Sequence, residues 1–137
     1  MSGEIVLGYD GTDGSEAALE EAVRLSDQLG LALVAVFGFQ PPVVEREIAD
    51  HREALLEYGK KQVSHAVERA RECGVEAQGV VVDKRPSEAL VQVAEEHHGR
   101  CIVVGTSGDG PLKSALLGST PHKLLQVADR PVVVVPG

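Results

Sequence analysis

The stretch Cys101-Ile102-Val103-Val104-Gly105, continuing as TSGDGPLKSALLGST to Thr120, decides how this chain folds. Three of its first four residues are β-branched and all four are apolar, as a short buried strand requires. Gly105, Gly108 and Gly118, with the hydroxyls of Ser119 and Thr120, then bracket a loop. Pro121 suits the first helical position, where its missing N–H costs nothing, and Ser119 or Thr120 suits the N-cap, so a helix is expected to begin near residue 120. The unit reads as strand, glycine loop and helix entry.

The same alternation extends in both directions. Apolar β-branched runs place strands at 4–9, 32–38, 77–82, 101–105 and 131–135, and amphipathic stretches between them place helices at about 13–29, 43–73, 87–98 and 120–128. Val80-Val81-Val82, Ile102-Val103-Val104 and Val132 to Val135 are continuously apolar, as expected for parallel strands covered on both faces. Gly30 and Gly74 read as helix stops, and Pro86-Ser87-Glu88 as a helix start. Gly59 costs the second helix about 1 kcal/mol relative to alanine and marks an expected bend. The charged run from Glu45 to Glu57 is read as a solvated face or flap without chemistry. The fold class is α/β: a single-domain open sheet of five strands with helices on both faces.

Bulk properties narrow the function. With 137 residues, 43% of them hydrophobic, the chain is long enough for one well-buried core. A formal charge of −8 argues against nucleic acid and anionic membranes, which reward basic surfaces. Two cysteines give neither a disulfide framework nor a zinc site; Cys101 is read as core and Cys73 as a partly buried helix residue. The five histidines show no metal-ligand spacing. No leader or membrane-length apolar run is seen, so the protein is expected to be soluble and cytoplasmic.

An anion is the ligand that the 105–120 loop suits. Glycine lets a ligand approach the backbone closely, and the open N–H groups of a helix start favour negative charge by about 0.3–2 kcal/mol. Glycines alone occur in any surface loop, and Ser-Thr-Pro alone caps a helix. The spacing discriminates: Gly105, two residues, Gly108, nine residues, then Gly118-Ser119 reproduces a G-x2-G-x9-G-[ST] pattern. With Ile5-Val6-Leu7-Gly8-Tyr9-Asp10-Gly11 at the start and Arg130-Pro131 to Val135 at the end, it makes nearly the whole chain resemble the ATP-binding branch of the universal stress protein family.

That resemblance implies one universal stress protein domain over residues 1–137, with a Rossmann-like, adenine nucleotide alpha hydrolase-like sheet, all parallel, in the order 3-2-1-4-5. It implies ATP as ligand, with Mg or Mn held mainly by the phosphates, and a homodimer through strand 131–135. Residue by residue, it puts Asp10 and the adjoining Tyr9 at the adenine and ribose end, and pairs the Gly38 backbone with adenine. Val104, Gly105 and Gly108 fall at the first phosphate-contacting turn, and Gly118, Ser119 and Thr120 at the second. Gly38 stands where relatives often carry valine, Asp109 adds negative charge to the loop, and Lys84-Arg85-Pro86 lacks a glycine before its proline.

Two independent arguments meet these assignments. Open α/β sheets bind ligands at the carboxyl ends of the strands where strand order reverses, which in this order lies between the first and fourth strands. An apolar strand at a sheet edge, as 131–135 would be, invites pairing with a second chain. Asp10 keeps another reading, since Asp10-Gly11-Thr12-Asp13 also suits an Asx turn capping the first helix. With no G-x4-G-K-[ST] sequence and no recognisable catalytic frame, a nucleotide-binding regulatory protein is expected and not an enzyme. The alternatives are a nucleotide-free dimeric interaction protein of the same fold and a slow ATP hydrolase.

Overall fold

In the computed structural model, which describes residues 3–40, 48–106 and 119–137, five strands form one sheet in the order β3-β2-β1-β4-β5. They are β1 (Glu4–Gly8), β2 (Ala32–Gly38), β3 (Ala77–Val82), β4 (Cys101–Gly105) and β5 (Val132–Val135), and every neighbouring pair runs parallel. The helices between them are α1 (Asp13–Leu29), α2 (Ile48–Glu72), α3 (Pro86–Glu96) and α4 (Ser119–Val127). The expected strand order is therefore the observed one. Strand boundaries fall within a residue of the sequence reading, and residues 43–47 of the expected second helix lie outside the described residues.

Strand alternation splits the core into two layers. Ile5, Leu7, Leu33, Ala35, Phe37 and Val103 point toward α1 and α2, where they meet Leu19, Ala22, Ala66 and Ala70. Val6, Val34, Val36, Ile102 and Val104 point the other way, onto Leu90, Val93 and Leu124 of α3 and α4. Both faces of β1 are sealed, which is why its residues Ile5-Val6-Leu7 need no alternation. Burying side chains of this size contributes about 1.5–3 kcal/mol each.

Helix ends follow local chemistry. Thr12 caps α1 by accepting from the Ser15 N–H, and Gly30 ends it in the left-handed conformation at φ 67°. Arg85 occupies the N-cap of α3 without a side-chain cap, and Pro86 opens that helix. Helix α2 runs through Gly59 without a break; a Cβ there would stand 2.5 Å from the Phe37 ring, so glycine admits close helix-on-strand packing. One sequence expectation is corrected. Cys73 is not partly buried: it lies one residue beyond α2 with an exposed, unpaired thiol, whereas Cys101 is buried and burial pushes its thiol upward in pKa.

Candidate nucleotide crevice

The sheet is notched at the carboxyl end of β1. Its last pair with β2 is Gly8 opposite Val36, and its last pair with β4 is Leu7 opposite Val103, yet β2 continues to Gly38 and β4 to Gly105. Strand alternation turns both overhanging residues inward. The Phe39 N–H donates to Val82 O on β3, so its neighbour Gly38 directs its main-chain polar groups to the β1 side. The Thr106 N–H donates to Val135 O on β5, so Gly105 likewise faces β1. Main-chain groups of Gly38 and Gly105 thus flank the point where the chain leaves β1 at Tyr9 and Asp10.

Asp10 is exposed at the centre of this notch. Its Oδ1 accepts from the Thr12 N–H at 3.0 Å and from the Thr12 hydroxyl at 2.6 Å, while the Asp10 N–H donates to Ser15 Oγ at 3.3 Å. The Asx-turn reading is therefore correct, and it does not compete with a binding role. Among the described residues Oδ2 has no hydrogen-bond partner, so a carboxylate fixed through one oxygen presents the other to solvent. That oxygen accepts from hydroxyl or amide donors such as a sugar provides.

Close packing fixes the floor. The end of β4 crosses the first turn of α1, where a Cβ on Gly105 would collide with the Gly14 carbonyl oxygen. On the other side, a Cβ on Gly38 would stand 2.8 Å from both Ala89 Cβ and Pro86 Cα, which brings α3 against β2. A larger residue at 38 would thus meet α3, so glycine there serves helix packing.

The remaining sequence-derived site residues are placed as follows. Tyr9 is 3% exposed, and its hydroxyl donates to Glu16 while its ring stacks on His65 at a centroid distance of 6.0 Å. Its side chain belongs to the α1–α2 layer, which leaves its backbone at the notch. Burial foremost, with the hydrogen bond and charge of Glu16, drives the phenol pKa well above the usual tyrosine range. Val104 is buried against the α3–α4 layer, so it offers the crevice main chain only. Thr120 is half-buried in the first turn of α4, and Ser119 starts that helix. Gly108 and Gly118 lie outside the described residues, as does Asp109.

Sequence reasoning missed the support from α2. Tyr58 Oη reaches Asp10 O at 3.4 Å, and Gln62 Oε1 sits over Gly11 so closely that a Cβ there would collide with it. The polar stripe 58, 62, 65, 69, a heptad-like spacing, was the available signal. Among the described residues no His, Cys, Asp and Glu side chains form a metal-holding group, and no helix is long and apolar enough to cross a membrane. A hollow of about 660 Å³ between α2 and β3, lined by Leu56, Val63, Val67 and Val81, lies at the far edge of the sheet and holds none of the notch residues.

With this geometry in place, likeness to known proteins is informative. The family model described as "Universal stress protein family" matches residues 1–136. The universal stress protein YxiE of Bacillus subtilis is 30% identical over 147 residues, spanning 98% of this chain and 99% of its own. A universal stress protein solved in complex with cAMP is 25% identical, covers 98% of this chain and 97% of that one, and superposes with a TM-score of 0.70. One from Archaeoglobus fulgidus, solved in complex with dAMP, is 20% identical, covers 98% of each chain and gives a TM-score of 0.71.

Proposed function

This chain belongs to the universal stress protein family, and from that premise we propose that it is a nucleotide-binding regulatory protein whose ligand is ATP, held in the notch beyond β1. The observation that carries this reading is Asp10: an exposed carboxylate locked by Thr12 through Oδ1, with Oδ2 unpartnered among the described residues, at a strand end flanked by the inward-facing main chains of Gly38 and Gly105. In this reading Oδ2 takes the ribose hydroxyls and Gly38 pairs with the base edge. The polyphosphate then runs toward Gly105 and the helix start at Ser119, where the glycine spacing of the sequence provides amides. Mg or Mn is carried by the phosphates, since neighbouring side chains supply no metal-holding group among the described residues. Adenine complexes of two proteins of this fold support the ligand class.

Binding, not turnover, is the proposed activity. Nothing in the sequence places a lysine as a phosphate-binding loop of the G-x4-G-K-[ST] type does. We also propose a homodimer through β5, whose four valines are only half-buried at the sheet edge. The deciding experiment is mass spectrometry of ligand released from purified protein, followed by calorimetric titration of ATP into the wild type and Gly118→Val. An adenine nucleotide in the eluate and binding lost in the variant support the proposal; full ATP affinity in Gly118→Val overturns it.

A further inference from the structure

Helix α2 packs its apolar residues onto β2 and β3, yet it also reaches across to the β1–α1 corner through four polar side chains spaced i, i+4, i+7 and i+11. Tyr58 Oη donates to the carbonyl of Asp10. Gln62 lies in contact with Gly11. His65 Nε2 is 3.3 Å from Glu16 Oε1, the same oxygen that accepts from Tyr9 Oη, and its ring stacks on Tyr9. Arg69 closes the row with a two-pronged contact on Glu20, Nε and Nη2 each at 2.8 Å. That fork holds the Glu20 carboxyl below the usual range.

The first two contacts matter most because they engage the residues that form the notch. Asp10 is held from two sides: its exposed carboxylate by Thr12 and its carbonyl by α2. A ligand that fixes the carboxylate also fixes the carbonyl that Tyr58 grips, and Gly11 presses directly on Gln62. Tyr58 is itself 48% exposed, so the helix face carrying it is open to solvent. Its ring meets Phe37 edge-on at 5.7 Å, which ties this contact to the buried layer.

We propose that α2 registers the occupancy of the notch: nucleotide bound at Asp10 tightens the 58-62-65-69 seam and so changes the stability of the exposed α2 face. This rests on the nucleotide-binding reading above and adds a regulatory route to it. Coupling of this kind is reciprocal, so loosening the seam weakens nucleotide binding by the factor through which nucleotide steadies the helix.

The test is amide hydrogen exchange of the full chain with and without saturating ATP, on the wild type and on Tyr58→Phe/Gln62→Ala, with α3 as internal control. The expected result is that ATP slows exchange across residues 58–72 at least about fivefold in the wild type, the lower end of ordinary coupling. That slowing falls below about twofold in the double variant at equal saturation, while α3 responds alike in both. ATP bound at saturation with unchanged α2 exchange, or equal slowing in both proteins, overturns the seam proposal alone. Calorimetry showing no ATP binding to the wild type removes the nucleotide reading and this one with it.

Discussion

Gly105 at the end of β4 lies directly against the backbone of Gly14 in the first turn of α1, so strand and helix meet without any side chain between them. The contact sets how near the α1 amides come to the sheet notch. Gly105→Ala pushes a methyl into the Gly14 carbonyl, and since both partners are backbone, neither can rotate away. Overpacking of this kind costs about 1–3 kcal/mol. Urea denaturation is expected to show that loss, together with at least tenfold weaker ATP binding by calorimetry; an Ala variant as stable and as tight-binding as the wild type would contradict the close-packed floor.

Asp10 allows structure and binding to be separated. Asn at this position keeps an Oδ1 acceptor for Thr12, so the turn survives, but it removes the charge from the free oxygen. Hydrogen bonds to a charged group contribute about 1.5–3 kcal/mol. Asp10→Asn should therefore lower ATP affinity by about 10- to 100-fold with a thermal midpoint within about 2 °C of the wild type. Asp10→Ala should lose both, and equal ATP affinity in all three proteins would dismiss the carboxylate from the site.

How much of this could be read from the chain differs between its parts. Val132 to Val135 and Ile102 to Val104 announced parallel strands, half-buried in β5 and buried in β4, because a sheet covered on both faces leaves no alternation to hide them. Gly30 and Pro86 marked helix ends through chemistry that acts within a few residues. Contacts between elements were not legible. Nothing local says that Gly59 accommodates the Phe37 ring, that Gly38 admits α3, or that Tyr58 would reach Asp10 from 48 residues away. Asp10 was weighed as either a turn residue or a ligand, and the turn occupies only one of its two carboxylate oxygens. Cys73 was misplaced because its exposure depends on where α2 stops, within a residue.

Tyr9 gives the fold an alkaline limit. An ordinary tyrosine ionises near pH 10, whereas burial first, then the hydrogen bond and charge of Glu16, keep Tyr9 neutral well beyond that. The unfolded chain releases this proton near pH 10 and the folded chain retains it. Stability from this group is therefore whole below about pH 10 and is lost as pH rises above it. Tyr9→Phe, with nothing to ionise, should start about 1 kcal/mol lower at pH 8 for want of the bond to Glu16 and then fall less steeply up to pH 11. Parallel stability curves for the two proteins would rule this out.

At the opposite end of the sheet, Arg130 Nη1 donates to Ala94 O at 2.8 Å and to Gly99 O at 3.0 Å, bracing the turn between α3 and β4 from the segment entering β5. Removing it takes the side-chain donor from the Gly99 carbonyl, in a partly buried turn that includes His98 at φ 52°, while Ala94 O keeps the Gly99 N–H. Arg130→Ala should cost about 1.5–3 kcal/mol in urea. Since the notch lies at the other end of the strands, ATP affinity per folded molecule should be unchanged, and a large change would mean that the two ends are coupled.

The edge of β5 can be tested without disturbing the core. Thr106 N–H and Ile102 N–H donate to Val135 O and Pro131 O, so the odd-numbered residues of this strand face β4 and the main-chain groups of Val132 and Val134 face outward. Val133 and Val135 pack against the α1–α2 layer, Val132 and Val134 against the α3–α4 layer, so charged side chains at any of them would confuse assembly with folding. Proline at 134 removes an outward N–H and spares the ladder to β4, which is the position an edge strand tolerates. A strand-to-strand dimer needs that donor. Light scattering should therefore give a dimer for the wild type and a monomer for Val134→Pro with its circular dichroism intact; a dimer persisting in the variant would move the interface away from β5.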